Sequence, residues 1–199
     1  KNRFGSVNEI GVFEMAGKGL IPVPNPSGIL IEGFAGDKAG SGIAAVMEGT
    51  RPLLMEIQAL STRRNFGNPQ RTVAGVEYNR FLMILAVIEK KLKIHFENHD
   101  AFVNVAGGMK INETGADLAV AAAVYSGFKE IAVPSKTVFI GEISLDGGVR
   151  PVRFTDLRVN EAKRMGFDRA VVPVKSTMPE NGMKIIRIEN IGELKDIIK

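Results

Sequence analysis

The sequence predicts an α/β (α+β) domain in which mixed sheets pack against helices. Three observations lead to this fold class. Short β-rich runs are joined by turn-forming residues, apolar residues recur at helical spacing in residues 78–91, and residues 116–125 are rich in Ala and Leu. With 199 residues, of which 45% are hydrophobic and 24% charged, the chain has an ordinary globular composition and enough length to bury a core.

The first part of the chain is predicted to be a connector. Residues 10–31 alternate short apolar runs with Gly and Pro, which is typical of two short strands followed by a turn-rich exit. A glycine-rich segment, residues 33–42, comes next. We therefore place a domain boundary at its start, so that residues 1–32 end one module and residues 33–199 form the main domain.

Each element of the main domain follows from a local pattern. A Gly-containing turn joins the first two β-rich runs, Ala favours a buried helix, an Asp-Gly turn marks a second hairpin, and Thr155-Asp156 and Gly166 delimit a helix. In chain order we predict strands at 43–47 and 53–60, a helix at 78–91, a strand at 101–105, a helix at 116–125, strands at 138–143 and 149–154, a helix at 155–165, strands at 170–173 and 184–188, and an amphipathic tail at 191–198.

Composition narrows the classes of function. The chain has no cysteine, which excludes disulfides and thiolate metal sites and fits a cytoplasmic protein. No stretch approaches the roughly 20 apolar residues that span a bilayer, so no membrane partner is expected. A net charge of +4 and a pI near 9.4 modestly favour an anionic partner. Because the chain begins with Lys1 rather than Met, we expect it to be part of a longer protein.

Three patterns resemble phosphate-binding, metal or catalytic motifs but lack a feature that each motif requires. The glycines at 36–42 lack the order of a phosphate-binding P-loop, since Lys38 precedes the last of them and a strand follows. His95 and His99 are four apart, but their segment leads into a strand, so they are expected to be solvated loop residues and no metal site is predicted. No serine lies in a G-x-S-x-G motif.

The N-terminal residues Lys1-Asn2-Arg3-Phe4-Gly5 are more specific. In an extended segment, residues two apart point the same way, so Lys1 and Arg3 could present two cations to one phosphate cluster. Paired cations of this kind stabilise a transferring γ-phosphoryl group, often in a neighbouring subunit. Taken alone, the segment is merely a basic terminus.

A colinear series of motifs resembles the bacterial RadA (Sms) DNA-repair family over essentially the whole chain. Residues 1–5, 8–15 and 25–27 resemble the end of that family's RecA-like ATPase module. The remaining motifs resemble its Lon-protease-like C-terminal domain; they are Gly49-Thr50-Arg51-Pro52, residues 56–60, 78–80, 84–90 and 106–108, and Gly148-Val149-Arg150-Pro151-Val152. The resemblance implies a Lon protease C-terminal-domain-like fold for residues 33–199.

The resemblance also implies that the protease chemistry is lost. Lon proteases use a Ser-Lys dyad, whose serine lies in an Asp-Gly-Pro-Ser-Ala-Gly stretch. The corresponding residues here, 113–118, place Ala116 at the nucleophile position, and an alignment on Pro151 and Gly166 places Asp156 at the lysine position. We therefore expect no catalytic residue. An active peptidase with another nucleophile, such as Ser126 or Ser144, remains the alternative.

As the resemblance implies, family members form hexameric rings and use ATP to extend branches in recombination intermediates, together with a recombinase filament. ATP, Mg and a zinc finger would belong to upstream modules, so no cofactor is expected in this chain. The chain would be a DNA-binding, ring-forming domain, with Lys1 and Arg3 contacting nucleotide in the adjacent subunit. A purely structural assembly domain without DNA contact is a second alternative.

DNA contact is predicted at six basic residues, because guanidinium groups suit phosphate oxygens and release counterions. No aromatic residue is interleaved with them in a manner that suggests base stacking, so binding is expected to be insensitive to sequence. A solvated face, ion pairs with Glu77 and its neighbours, or a subunit interface at Arg80 are the alternatives. The six residues are Arg63, Arg64, Arg71, Arg80, Lys110 and Arg150.

Overall fold

The computed structural model describes residues 13–17, 19–34, 36, 38–178 and 182–199. The predictions for Lys1, Arg3 and the motif at 8–12 lie outside these residues. A two-stranded hairpin, β1 (Phe13–Ala16) and β2 (Gly19–Pro22), comes first, as predicted. Among all the residues that the structure describes, no helix is long and apolar enough to cross a membrane.

A seven-stranded mixed sheet forms the centre of the fold. Its strands are β3 (Ser41–Glu48), β4 (Arg51–Arg63), β5 (Arg71–Ala74), β6 (His99–Val105), β7 (Thr137–Phe139), β10 (Arg169–Pro173) and β11 (Lys184–Ile188). The spatial order is β11-β10-β7-β3-β4-β6-β5. The pairs β3–β4 and β4–β6 are antiparallel, and the other four pairs are parallel. The predicted α/β class is confirmed.

Helices cover both faces of this sheet. They are α1 (Pro26–Leu30), α2 (Tyr78–Leu92), α3 (Asp117–Lys129), α4 (Thr155–Arg164) and α5 (Leu194–Ile197). Successive residues of β3 alternate between two cores, because side chains of a strand point to opposite faces. Ala44 and Val46 join the core that contains α2 and α3, whereas Ile43 and Ala45 join the core that contains α4.

The hairpin that we predicted over residues 138–154 is much shorter in the structure. Only β8 (Glu142–Ile143) and β9 (Val149–Arg150) pair with each other, while β7 belongs to the main sheet. The chain leaves the sheet at Gly141, whose N–H donates to the Gly115 carbonyl and whose carbonyl accepts the Leu118 N–H. These bonds to residues more than 20 positions away override the local β pattern.

Two short elements, α1 and β5, were not predicted. Ser27 of α1 is fully buried, donates to the Glu161 carboxylate at 2.5 Å and accepts the Leu54 N–H at 3.2 Å. Burial opposes ionisation of Glu161, but bonds from Arg164 and Ser27 bring its pKa below the usual range. Residues before position 33 therefore pack against β4 and α4, although the domain boundary itself stays a prediction.

Candidate functional site

The first of the two predicted dyad positions lies where a 3-10 turn leads into α3. Thr114–Ala116 form this turn, and Ala116 is buried in the core that contains α2 and α3. Ala116 also lines a cavity of about 550 Å³ together with Val76, Arg80 and Asp117. Ala116, the predicted nucleophile position, thus borders this cavity with a methyl group, which has no lone pair to attack a carbonyl.

The second dyad position lies in the first turn of α4, where Asp156 is exposed. Two residues later, Arg158 is only 2% exposed. Its guanidinium donates to the Ala45 carbonyl at 2.6 Å and the Arg153 carbonyl at 3.0 Å, and makes a two-pronged ion pair with Glu113, with Nη2 at 2.7 Å. This buried cation is fully engaged, and a guanidinium does not serve as a base.

The Arg158–Glu113 ion pair ties together the two chain segments that carry the dyad positions. Glu113 also accepts the Met47 N–H at 2.8 Å, which anchors it to β3. Gly115, the residue before Ala116, lies directly against the guanidinium, because a Cβ at this position would be 2.8 Å from Arg158 Nη1. A structural ion pair therefore joins the segments that contain Ala116 and Asp156, the two predicted dyad positions.

A second ion pair lies beside the same cavity. Arg80 of α2 donates through Nε and Nη2 to the Asp117 carboxylate and through Nη2 to the Ile143 carbonyl at 3.0 Å. Asp117 also accepts the Ile143 N–H at 3.0 Å. Burial raises the pKa of Asp117 while Arg80 opposes this shift, and the hydrogen bond to Asp117 raises the pKa of Arg80. These bonds connect α2, α3 and β8.

The two serines considered as other nucleophiles are bonded to acceptors that do not activate them. Ser126 is fully buried, donates to the Ile131 carbonyl at 2.5 Å and accepts the Gly40 N–H. Ser144 donates to Asp146, whose pKa is lowered by this bond and by the Gly148 N–H. An activated serine needs a base that takes its proton, and both hydroxyls are used in turns instead.

Three of the predicted DNA contacts lie at the start of β6. Arg63 ends β4 and is exposed. Arg64 donates to Asp100 at 3.0 Å and to the Phe66 carbonyl at 2.8 Å. Arg71 donates to the carbonyls of Gln70, His99 and Phe96 and lies 6.0 Å from the Phe96 ring centroid. Of these three guanidinium groups, those of Arg64 and Arg71 already have intramolecular partners.

The other three predicted contacts lie on other elements of the chain. Lys110 follows β6 and is exposed, Arg150 is exposed on β9, and Arg80 is held by Asp117. Because β6 has seven residues and a strand rises about 3.3 Å per residue, its two ends are about 20 Å apart. Lys110, just past the end of β6, is therefore well separated from the three arginines near its start.

Comparison with known proteins gives a family for this chain. Residues 69–176, which include β5, α2, α3 and both dyad positions, match the family described as subunit ChlI of Mg-chelatase. The chain belongs to the ChlI family. Its seven-stranded mixed sheet with packed helices fits the Lon C-terminal-like fold that the resemblance implied.

The ChlI-family chain is also similar along its length to curated proteins named DNA repair protein RadA. It is 44% identical over 197 residues to that of Bacillus subtilis, 42% over 199 residues to that of Streptococcus pneumoniae and 46% over 198 residues to that of Aquifex aeolicus. These matches cover 97–100% of the chain but only 43–47% of the relatives. The resemblance to RadA is confirmed, and the chain spans less than half of each relative.

The description of the ChlI family names magnesium, but the described part of this chain has no cluster of ligands for a metal ion. No three His, Cys, Asp or Glu side chains there are grouped to hold an ion. His99 packs instead against Phe128 and Phe96, with ring centroids 4.9 and 6.4 Å away. Its aromatic environment differs from the solvated loop position that we predicted.

Sequence reasoning missed Arg158, Glu113 and Asp117. The sequence of this chain does carry a signal that Arg158 is buried. Arg158 lies on the same face of α4 as Thr155, Val159 and Ala162, all of which are buried. A cation on the apolar face of a helix indicates a buried anionic partner. The identity of that partner was not accessible, because Glu113 lies 45 residues away.

Proposed function

We propose that this chain is a non-proteolytic DNA-binding and oligomerisation domain of an ATP-dependent DNA repair protein that promotes branch migration of recombination intermediates. The observation that carries the proposal is the similarity of the whole chain to proteins named DNA repair protein RadA. The methyl group of Ala116 at the predicted nucleophile position and the engaged Arg158–Glu113 ion pair beside it support a non-proteolytic role. With the peptidase chemistry removed, exposed cations are the remaining groups that suit an anionic polymer.

The whole protein would use modules outside this chain. We propose that these modules supply ATP and Mg binding and a zinc finger, and that the protein works in the cytoplasm as a hexamer beside a recombinase filament. Lys1 and Arg3 would contact nucleotide in a neighbouring subunit. The apolar side chains exposed near the start of the described chain support contact with another module or subunit; they are Phe13, Met15, Leu20, Ile21 and Ile29.

DNA contact is assigned first to the exposed cations Arg63, Lys110 and Arg150, whose side chains are accessible to phosphate. Arg64, Arg71 and Arg80 would instead position the loops and helices that present them, because their guanidinium groups are bonded within the domain. The sum of weak phosphate contacts makes such binding independent of sequence.

Salt dependence tests this assignment. Changing Arg63, Lys110 or Arg150 to Ala is expected to weaken DNA binding and to reduce the slope of log affinity against log salt by about 0.9 for each phosphate that the variant no longer neutralises. The measurement is fluorescence anisotropy of labelled DNA across a salt series. Lys195→Ala, which removes an exposed cation from α5, serves as the matched control and is expected to leave the slope unchanged.

An affinity and slope that stay the same in all three variants would contradict the DNA assignment. A wild-type chain that self-associates but does not bind DNA would support the purely structural alternative. Sedimentation velocity at several concentrations gives the assembly state independently of the DNA measurement.

Peptidase activity is expected to be absent. We predict no cleavage of an unstructured protein substrate by the wild-type chain above that of the buffer. Ser126 donates to a backbone carbonyl, and Ser144 donates to the Asp146 carboxylate, whose lowered pKa makes it a weak base. Mass spectrometry of the substrate after long incubation is the measurement. Cleavage that disappears in Ser126→Ala or Ser144→Ala, with the melting temperature retained, would overturn the non-proteolytic assignment.

A further inference from the structure

The loop of residues 64–70, between β4 and β5, contains a phenylalanine, Phe66, whose side chain is not packed against the core. Phe66 is 90% exposed, the highest exposed fraction among the large apolar side chains of the described residues. A phenyl ring left in water gives up the stabilisation that burial would bring. Scattered exposed apolar residues are common, so the surroundings of Phe66 must show whether its position has a purpose.

The backbone on both sides of Phe66 is held by specific bonds. Arg64 Nε donates to the Phe66 carbonyl at 2.8 Å, and Arg64 Nη1 donates to Asp100 at 3.0 Å. Asp100 also accepts the Gln70 N–H at 2.6 Å. The Gln70 N–H and Arg64 lower the pKa of Asp100, so the carboxylate stays ionised at neutral pH. The loop therefore presents Phe66 from a pre-organised backbone.

The groups beside Phe66 are polar or cationic. Residues 63–71 contain no carboxylate, and Asn65, Asn68 and Gln70 are polar amides along the loop, with the exposed Arg63 at its base. Exposed aromatic rings stack on unpaired bases, amides bond to base edges, and cations follow the phosphates. A protein-binding surface would instead be expected to place further apolar groups around the ring.

We propose that Phe66 is a stacking platform for an unpaired base of single-stranded DNA, with Arg63 on an adjoining phosphate. This inference rests on the proposed DNA-binding function and departs from our expectation that no aromatic residue is interleaved in a manner that suggests base stacking. Arg64 and Arg71 then act as positioning residues that hold the loop. Because every base has a π face, such stacking keeps binding tolerant of sequence.

The absence of tryptophan from the chain provides a direct test. Phe66→Trp creates a single reporter, whose fluorescence is expected to be quenched on titration with oligo-dT and unchanged with blunt duplex DNA of the same length. Phe66→Ala is expected to weaken oligo-dT binding about ten-fold, the effect of removing one base stack, and to leave duplex affinity unchanged. Leu145→Ala, which truncates another highly exposed apolar side chain (75%), is the matched control and is expected to change neither.

The outcomes separate this inference from the proposed function. A chain that binds neither DNA form would overturn both. A chain that binds oligo-dT with equal affinity in wild type and Phe66→Ala, without quenching in Phe66→Trp, would overturn the stacking role alone. Reduced self-association of Phe66→Ala with unchanged oligo-dT affinity would assign Phe66 to a protein interface instead. Equal melting temperatures of the variants establish that each is folded.

Discussion

Replacing Arg158 by Met is expected to lower the free energy of unfolding by about 3–5 kcal/mol, the usual cost of removing one partner of a buried ion pair. The substitution leaves the Glu113 carboxylate beside Gly115 without its cation, and it leaves the Ala45 and Arg153 carbonyls without their guanidinium donors. Methionine fills a similar volume, so the loss measures the charge and hydrogen bonds rather than a cavity. Urea denaturation followed by circular dichroism provides the measurement.

Arg169→Met is the matched control for Arg158→Met. Arg169 pairs with Asp168 at 3.5 Å, but both side chains are largely in solvent, at 41% and 60% exposed. Exposed pairs contribute about 0–1 kcal/mol, so this substitution is expected to be nearly neutral. Equal losses in the two variants would contradict a structural role for the Arg158–Glu113 ion pair.

Gly40→Ala is expected to destabilise the domain by about 4 kcal/mol or more, or to prevent its folding, because steric overlap adds to left-handed strain. Gly40 has φ +81°, and a Cβ there would lie 2.2 Å from the Ala59 carbonyl oxygen. The backbone has little freedom to move away. The Gly40 N–H donates to Ser126 at 2.9 Å, and the Gly40 carbonyl accepts the Ala59 N–H at 2.6 Å.

Gly166→Ala isolates the contribution of backbone strain. Gly166 has nearly the same φ, +84°, but nothing lies within 4 Å of the position of its Cβ. This variant is expected to lose only about 1–2 kcal/mol, the cost of a left-handed conformation for an L-residue. Thermal and urea unfolding of the two variants give the comparison. A similar stability for both would show that the close approach of Gly40 to β4 does not control folding.

The three long helices α2, α3 and α4 and the first main-domain hairpin were predictable because their signals are local. Apolar spacing marks α2, Ala-rich sequence marks α3, and Gly166 marks the end of α4. The short elements β5 and α1 were not predictable, since four or five residues carry little periodicity. They are held by non-local bonds, such as that from Ser27 to Glu161, 134 positions away.

The sequence by itself determined the overall α/β class, because this class depends on residue type and short-range pattern. The two dyad positions are what the family resemblance implies and stay a prediction. Only the tertiary structure decided which cations are free to meet a ligand. Arg64, Arg71 and Arg80 look alike in sequence to Arg63, yet their donors bond to groups as far as 63 positions away. A guanidinium group is available only when no acceptor in the folded chain already uses its protons, and those acceptors are assembled by folding.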